Sequence, residues 1–243
     1  MRILLTGAEG MVGSHLTEYL TDRGYKIIPF KGDITEVDDW LKPNYQWIDA
    51  IVHLAALAGV RPSIENPELY YNNNVGGMDL MLEFARQNNI QKVLYASSSN
   101  AAEWWTNPYG TTKKMNEIQA QHQSSIGMRF HTIWPGRDDM LYKKLERGEV
   151  NYINANHYRD MVHVEDVCSA IQILLEKFDL LHRRKVVDIG TGETVSVADI
   201  AKRYGYEGEY VYENPDGERV ATQADIKWLT DLGWKPKWNI LDD

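Results

Sequence analysis

Cysteine is almost missing from this chain. The single one, Cys168, can form no internal disulfide and belongs to no cluster with metal-ligand spacing. Positive charge is also in short supply: the formal net charge is −9, which argues against nucleic acid as the main partner. Local arginines and lysines still decide whether a small anion is held. No run approaches the ~20 apolar residues of a membrane span. Met1 leads straight into a strand pattern, with no charged-then-apolar leader before it. Internal repeats and low-complexity linkers are absent too. These absences lead to the expectation of a cytoplasmic protein with no membrane and no nucleic-acid partner. What remains is 243 residues with 43% apolar content, enough for one sizeable core and a small second lobe.

The first sixteen residues, MRILLTGAEGMVGSHL, organise the rest. Arg2 to Leu5 is the short apolar run of a buried strand. Gly7, Gly10 and Gly13 follow it, and then a helical pattern. Gly7 suits the sharp turn from strand to helix. Gly10 lets backbone approach a pyrophosphate, and Gly13 lets the helix pack tightly on the strand. The N–H groups and the dipole at that helix start favour phosphate. The spacing is G-x-x-G-x-x-G, and a dinucleotide is the ligand it predicts.

Along the chain, strand and helix patterns alternate. Strands are predicted at 25–30, 48–56, 92–99, 127–134 and 186–189, and helices at 14–23, 67–89, 108–125 and 163–178. Ser196 is expected to cap a further helix, with Asp199 three positions on. This alternation predicts an α/β fold, a doubly wound parallel sheet. Trp228, Trp234 and Trp238 are expected to pack the core of a small C-terminal lobe. Asp33 stands about 20 residues beyond Gly13, where an acidic residue holds the adenosine ribose in dinucleotide folds. Lys31 stands where a 2′-phosphate could be received. NAD is favoured and NADP stays open.

Ser99, Tyr109 and Lys113 form the candidate catalytic set. Tyr109 and Lys113 share one helix face at i, i+4. A free tyrosine, with a pKa near ~10, is a poor base at neutral pH. A neighbouring ammonium favours its phenolate. That phenolate could take the proton of a sugar hydroxyl while hydride leaves the same carbon. About one Tyr-x-x-x-Lys is expected by chance in a chain of this composition, so its position, directly after a strand ending in serines, carries the weight.

Here the chain resembles the extended short-chain dehydrogenases/reductases, within the NAD-dependent epimerase/dehydratase family, and most of all the nucleotide-sugar 4-epimerases. The resemblance rests on TGAEGMVGSHL, HLAALAGVRPSIENPELYYNNNVGG, YASSS, PYGTTKK, YRDMVHVEDV, DIGTGETVSV and TQADIKWLTDLGW. It implies a Rossmann fold with 1–133 and 163–190 binding NAD, and a small substrate lobe from 134–162 and 191–243. It implies inversion at C4 of a UDP-sugar by transient hydride transfer, in a homodimer paired through the helices near 67–89 and 108–125. By the same resemblance, Gly7, Gly10, Met11, Val12, Gly13, Asp33, Ile34, Leu54, Ala55, Ala56 and Asn74 would meet the cofactor. Lys113 would hold its ribose, with Tyr109 beside it. Ser99 would meet the substrate, and Arg159 its diphosphate. Thr132 matches the uronic-acid epimerases, so UDP-glucuronate stands beside UDP-glucose and UDP-galactose as a substrate.

The chain departs from the family in three places. It is shorter, and the segment from Ser99 to Tyr109 has lost most of its length and carries Trp104-Trp105. No arginine precedes Gly217-Glu218, and Arg219 is the candidate substitute. Asn100-Ala101 follow Ser99 where the dehydratases carry an acidic pair, so elimination of water is not expected. His53 reads as a core histidine, Arg61 as a phosphate contact or a surface ion pair, and no metal site is expected. Two other functions remain open: a keto-sugar-nucleotide reductase using NADPH, and a cofactor-binding protein without turnover.

Overall fold

The computed structural model describes residues 1–42, 45, 47–181, 186–213 and 215–242. The chain runs β1 (Arg2–Thr6), α1 (Met11–Thr21), β2 (Lys26–Pro29), α2 (Val37–Trp40), β3 (Ala50–His53), α3 (Val60–Glu65) and α4 (Pro67–Tyr70). A π-helical turn (Tyr71–Gly76) leads into α5 (Gly77–Gln87) and β4 (Lys92–Ser98). A 3₁₀ segment (Ser99–Thr106) then precedes α6 (Pro108–Gln119), β5 (Ser125–Phe130) and β6 (Thr132–Trp134). The remainder is α7 (Leu141–Glu146), β7 (Tyr152–Asn154), β8 (Tyr158–Arg159), β9 (Met161–His163), α8 (Val164–Glu176), β10 (Val186–Ile189), β11 (Val195–Ser196), α9 (Val197–Arg203), β12 (Glu209–Val211) and α10 (Lys227–Asp231).

Six strands make one parallel sheet in the order β10-β5-β4-β3-β1-β2. The strand order reverses at β1, and the crevice there is where open α/β sheets bind ligands. Every residue of β3 is buried, as expected for a strand covered on both faces. On one face Leu16 and Leu20 of α1 pack with Val167, Ile171 and Leu174 of α8. On the other, Met78, Met81 and Ala85 of α5 pack with Trp40 and Phe30. A separate cluster around Trp134, Tyr142, Ile153 and Ile200 holds the region of β6–β9 and α9 together. No helix among the described residues is long and apolar enough to cross a membrane.

The structure corrects four expectations. The strand predicted at 127–134 breaks at His131: β5 begins at Ser125, and β6 leaves the sheet to pair with β9. The helix predicted at 67–89 widens into a π turn around Asn74. Ser196 sits at the N-cap of α9, yet its side chain makes no capping bond. Trp234 and Trp228 pack into the core of the large sheet, where Trp234 Nε1 donates to Ser169 Oγ at 2.9 Å. Trp238 stays 41% exposed and lies against His163, so none of the three forms the core of a separate lobe.

Candidate active site

Gly7 has φ +69°, and a Cβ there would stand 2.8 Å from Ala55 N. A Cβ on Gly13 would overlap the Gly7 carbonyl oxygen. The loop is drawn in on itself, with Gly10 N donating to Gly7 O at 3.0 Å, and α1 starts at Met11 with extended Gly10 as its cap. Both β-carbon clashes mark a cradle that only glycine can line, open at a helix N-terminus. That shape fits a dinucleotide pyrophosphate. Leu54, Ala55 and Ala56 leave β3 beside it: Leu54 N donates to Thr6 O, and Ala55 N to Thr6 Oγ1. Thr6 Oγ1 also meets His53 Nδ1 at 2.8 Å, so His53 is a satisfied core histidine. Burial, followed by the charge of Lys113, pushes it down to about 3.

Beyond β2, Lys31 and Asp33 are both exposed. Asp33 Oδ1 accepts from Thr35 N and Thr35 Oγ1 at 2.8 and 2.7 Å, which holds its carboxyl below the usual range. Ile34 is buried against Gly77. Asn74 lies under the loop after β3 and is 2% exposed. Its Oδ1 accepts from Leu57 N, while its Nδ2 donates to Leu57 O and Thr112 Oγ1. The amide expected at the cofactor is therefore engaged within the protein.

Asn107 caps α6, accepting from Gly110 N at 2.7 Å, and Pro108 occupies the first turn. A Cβ on Gly110 would stand 2.8 Å from Asn100 O, so the 3₁₀ segment presses closely on this helix. Half-buried Tyr109 lies edge-on to Tyr70, with ring centroids 6.3 Å apart. Lys113 Nζ donates to Ala96 O at 2.9 Å and stands 6.0 Å from the Tyr109 ring centre. Burial lowers Lys113 to about 7. Burial raises Tyr109, while a hydrogen bond from Ser98 and the Arg137 guanidinium favour its phenolate.

Two serines stand at this end of the site: Ser98 ends β4, and Ser99, also buried, opens the 3₁₀ segment. Ser97 Oγ donates to Glu117 of α6 at 2.8 Å, and Ser98 Oγ accepts from Asn100 N at 3.2 Å. The Ser99 carbonyl accepts from Arg219 at 2.9 Å. Glu117 escaped notice. It is buried and takes a two-pronged ion pair from Arg129 at 2.7 and 2.8 Å.

A cleft of about 390 Å³ is lined by Thr132, Arg159, His157, Arg61, Tyr152 and Glu218. Arg159 is held by the carbonyls of Tyr158 and Val220 and lies 3.2 Å from His157 Nδ1. Burial lowers its affinity for the proton, opposed by Glu218. Arg61 is paired with Glu218 at 2.8 Å, and Arg219 with Glu103. Thr132 and Arg159 therefore belong to the cleft, while Arg219 braces the shortened segment next to Ser99. Asn214 lies outside the described residues.

The model of the NAD dependent epimerase/dehydratase family matches residues 3–190. This chain belongs to that family. A putative UDP-glucose 4-epimerase of Methanocaldococcus jannaschii is 28% identical, covering 97% of this chain and 93% of the relative. UDP-glucuronate 4-epimerase 4 of Arabidopsis thaliana is 27% identical over 96% of this chain and 71% of its own. Among solved structures, MoeE5 in complex with UDP-glucose and NAD superposes with a TM-score of 0.85. It is 27% identical, and 100% of this chain and 95% of that one are covered.

Proposed function

We propose that this protein is an epimerase acting at C4 of a UDP-sugar with bound NAD⁺. The observation that carries the reading is Lys113 one turn from Tyr109 on α6, its Nζ 6.0 Å from the Tyr109 ring centre, set beside a glycine cradle that fits a dinucleotide. Relatives and structural neighbours named for UDP-glucose, UDP-glucuronate and NAD support it.

When bound, the nicotinamide ring supplies an acceptor that takes hydride from C4 and returns it to the opposite face. Tyr109 accepts the proton of the 4-hydroxyl, and Ser99 holds the same oxygen in place. Lys113 holds the ribose hydroxyls and adds the charge that favours the phenolate. Gly7, Gly10, Met11, Val12 and Gly13 cradle the pyrophosphate, with Leu54 to Ala56 along its middle. The ionised Asp33 disfavours a 2′-phosphate, so NAD is the cofactor assigned, despite Lys31 nearby. Arg159 takes the substrate diphosphate in the cleft, and Thr132 faces the sugar, where a hexuronate is accommodated as well as a hexose. Residues 1–133 and 163–190 serve the cofactor, and 134–162 with 191–243 the substrate. Exposed Leu69 and Ile118, beside and on the helices that flank this site, are the surface assigned to a homodimer.

Proton NMR of the purified protein with UDP-glucose, UDP-galactose, UDP-glucuronate and catalytic NAD⁺ tests this. Conversion to the C4 epimer without net reduction of cofactor is expected. No conversion of any of these sugars overturns the reading.

A further inference from the structure

Three side chains on one face of α6 reach the π turn. Thr112 Oγ1 accepts from Asn74 Nδ2 at 3.0 Å and itself donates to the carbonyl of Tyr109 at 2.8 Å. Asn116 Nδ2 donates to the Asn74 carbonyl at 2.8 Å, and Gln119 Nε2 donates to the Val75 carbonyl at 3.0 Å. A π turn breaks the regular i→i−4 ladder and leaves carbonyls in need of donors. Here α6 provides them. Asn116 is 3% exposed, so its amide is committed to this contact, and Gln119 Oε1 receives its second N–H bond at 3.0 Å.

The other end of the network is the loop after β3. The Asn74 amide grips Leu57 through both N–H and C=O, and Tyr70 Oη donates to Ala58 O at 3.0 Å. A connected path therefore runs from residues 57–58, through Asn74, to the helix that carries Tyr109 and Lys113. Each polar group of the Asn74 side chain has a partner, the condition under which a buried network fixes geometry.

We propose that Asn116 is a positioning residue. By holding the π turn against α6, it sets the distance between the cofactor-side loop at Leu54–Leu57 and the Tyr109–Lys113 face. The reasoning rests on the epimerase reading for its effect on turnover, but not for its effect on cofactor. A displacement of about 1 Å at a reacting group is enough to cost about 100-fold in rate. Asn116 lines neither the glycine cradle nor the cleft, so its effect travels through Asn74 and Leu57.

The test uses the full chain with Asn116→Asp, which keeps size and shape but removes the donated N–H. NAD⁺ affinity is measured by quenching of tryptophan fluorescence, alongside kcat, KM and thermal midpoint. The expected result is NAD⁺ binding weakened at least tenfold. With it, kcat falls at least tenfold while KM for the UDP-sugar stays within twofold. NAD⁺ binding and kcat within twofold of the parent, whatever the thermal midpoint does, overturn the proposal. If Asn116→Asp does not fold, Gln119→Ala decides: a threefold or greater loss of NAD⁺ affinity supports the clamp, and an unchanged value overturns it. A parent protein that binds NAD⁺ but converts no sugar defeats the epimerase reading alone, and the NAD⁺ titrations still decide the role of Asn116.

Discussion

Lys113 of α6 donates from its Nζ to the carbonyl of Ala96 in β4 at 2.9 Å, across the 3₁₀ segment that separates them in sequence. The segment is short and strongly tied. Arg219 pairs with Glu103 and donates to Ser99 O, and Asn107 Nδ2 donates to Gly217 O at 3.0 Å. Those links hold the short connection between β4 and α6 in one arrangement.

Ser99→Ala should lower kcat by about 100-fold, as expected for loss of one preorganised donor at a developing charge. Ser98→Ala should leave kcat within about threefold, because that hydroxyl is engaged with Asn100 N at 3.2 Å. Tyr109→Phe should abolish turnover while NAD⁺ binding is retained. Steady-state kinetics with a UDP-sugar check all three, and the reverse order of Ser98 and Ser99 would move the role to Ser98.

Gly13→Ala should cost most of the affinity for NAD⁺, because its methyl group would overlap the Gly7 carbonyl and force the cradle open. Gly76→Ala is the control: nothing lies within 4 Å of its added Cβ, and its φ of −63° accepts an L side chain. Fluorescence titration with NAD⁺ separates the two, and equal affinities would place the pyrophosphate elsewhere.

His53 makes stability depend on acid. Its folded pKa is about 3, depressed first by burial and then by Lys113, against ~6.5 in an unfolded chain. Between those values the unfolded state binds the extra proton, so this contribution is complete above about pH 6.5 and is lost as pH falls toward 3. His53→Asn keeps an acceptor for Thr6 and should flatten that acid slope in urea unfolding measured from pH 7 to pH 4. A slope identical to the parent's would mean that other groups carry it.

Glu117→Gln should destabilise the fold by about 3 kcal/mol, because Arg129 loses a two-pronged partner in a largely buried place. Urea denaturation reads the difference directly. A change under about 0.5 kcal/mol would show that the pair is replaceable by neutral hydrogen bonds.

Much of this architecture was legible in the chain itself. The strand–glycine–helix opening, the alternation of apolar runs and helical faces, and the Tyr109–Lys113 spacing depend on local physics, and the sheet bears them out. What escaped were features that depend on contacts distant in sequence. β6 looks continuous with β5 until β9 draws it out of the sheet. Trp234 reads as lobe core until Ser169 of α8 receives its indole N–H. Asn116 and Glu117 look like polar surface on a helix, since only the fold shows that a π turn lies against one and Arg129 against the other.

In the proposed reaction one hydrogen leaves C4 and comes back to the same carbon within the site. The decisive measurement uses a UDP-sugar carrying deuterium at C4, incubated with the protein and NAD⁺ in ordinary water. A C4 epimer with the label still on C4 is expected, with no deuterium released to solvent and no NADH accumulating. Loss of the label to water, or NADH formed in proportion to sugar consumed, would contradict it.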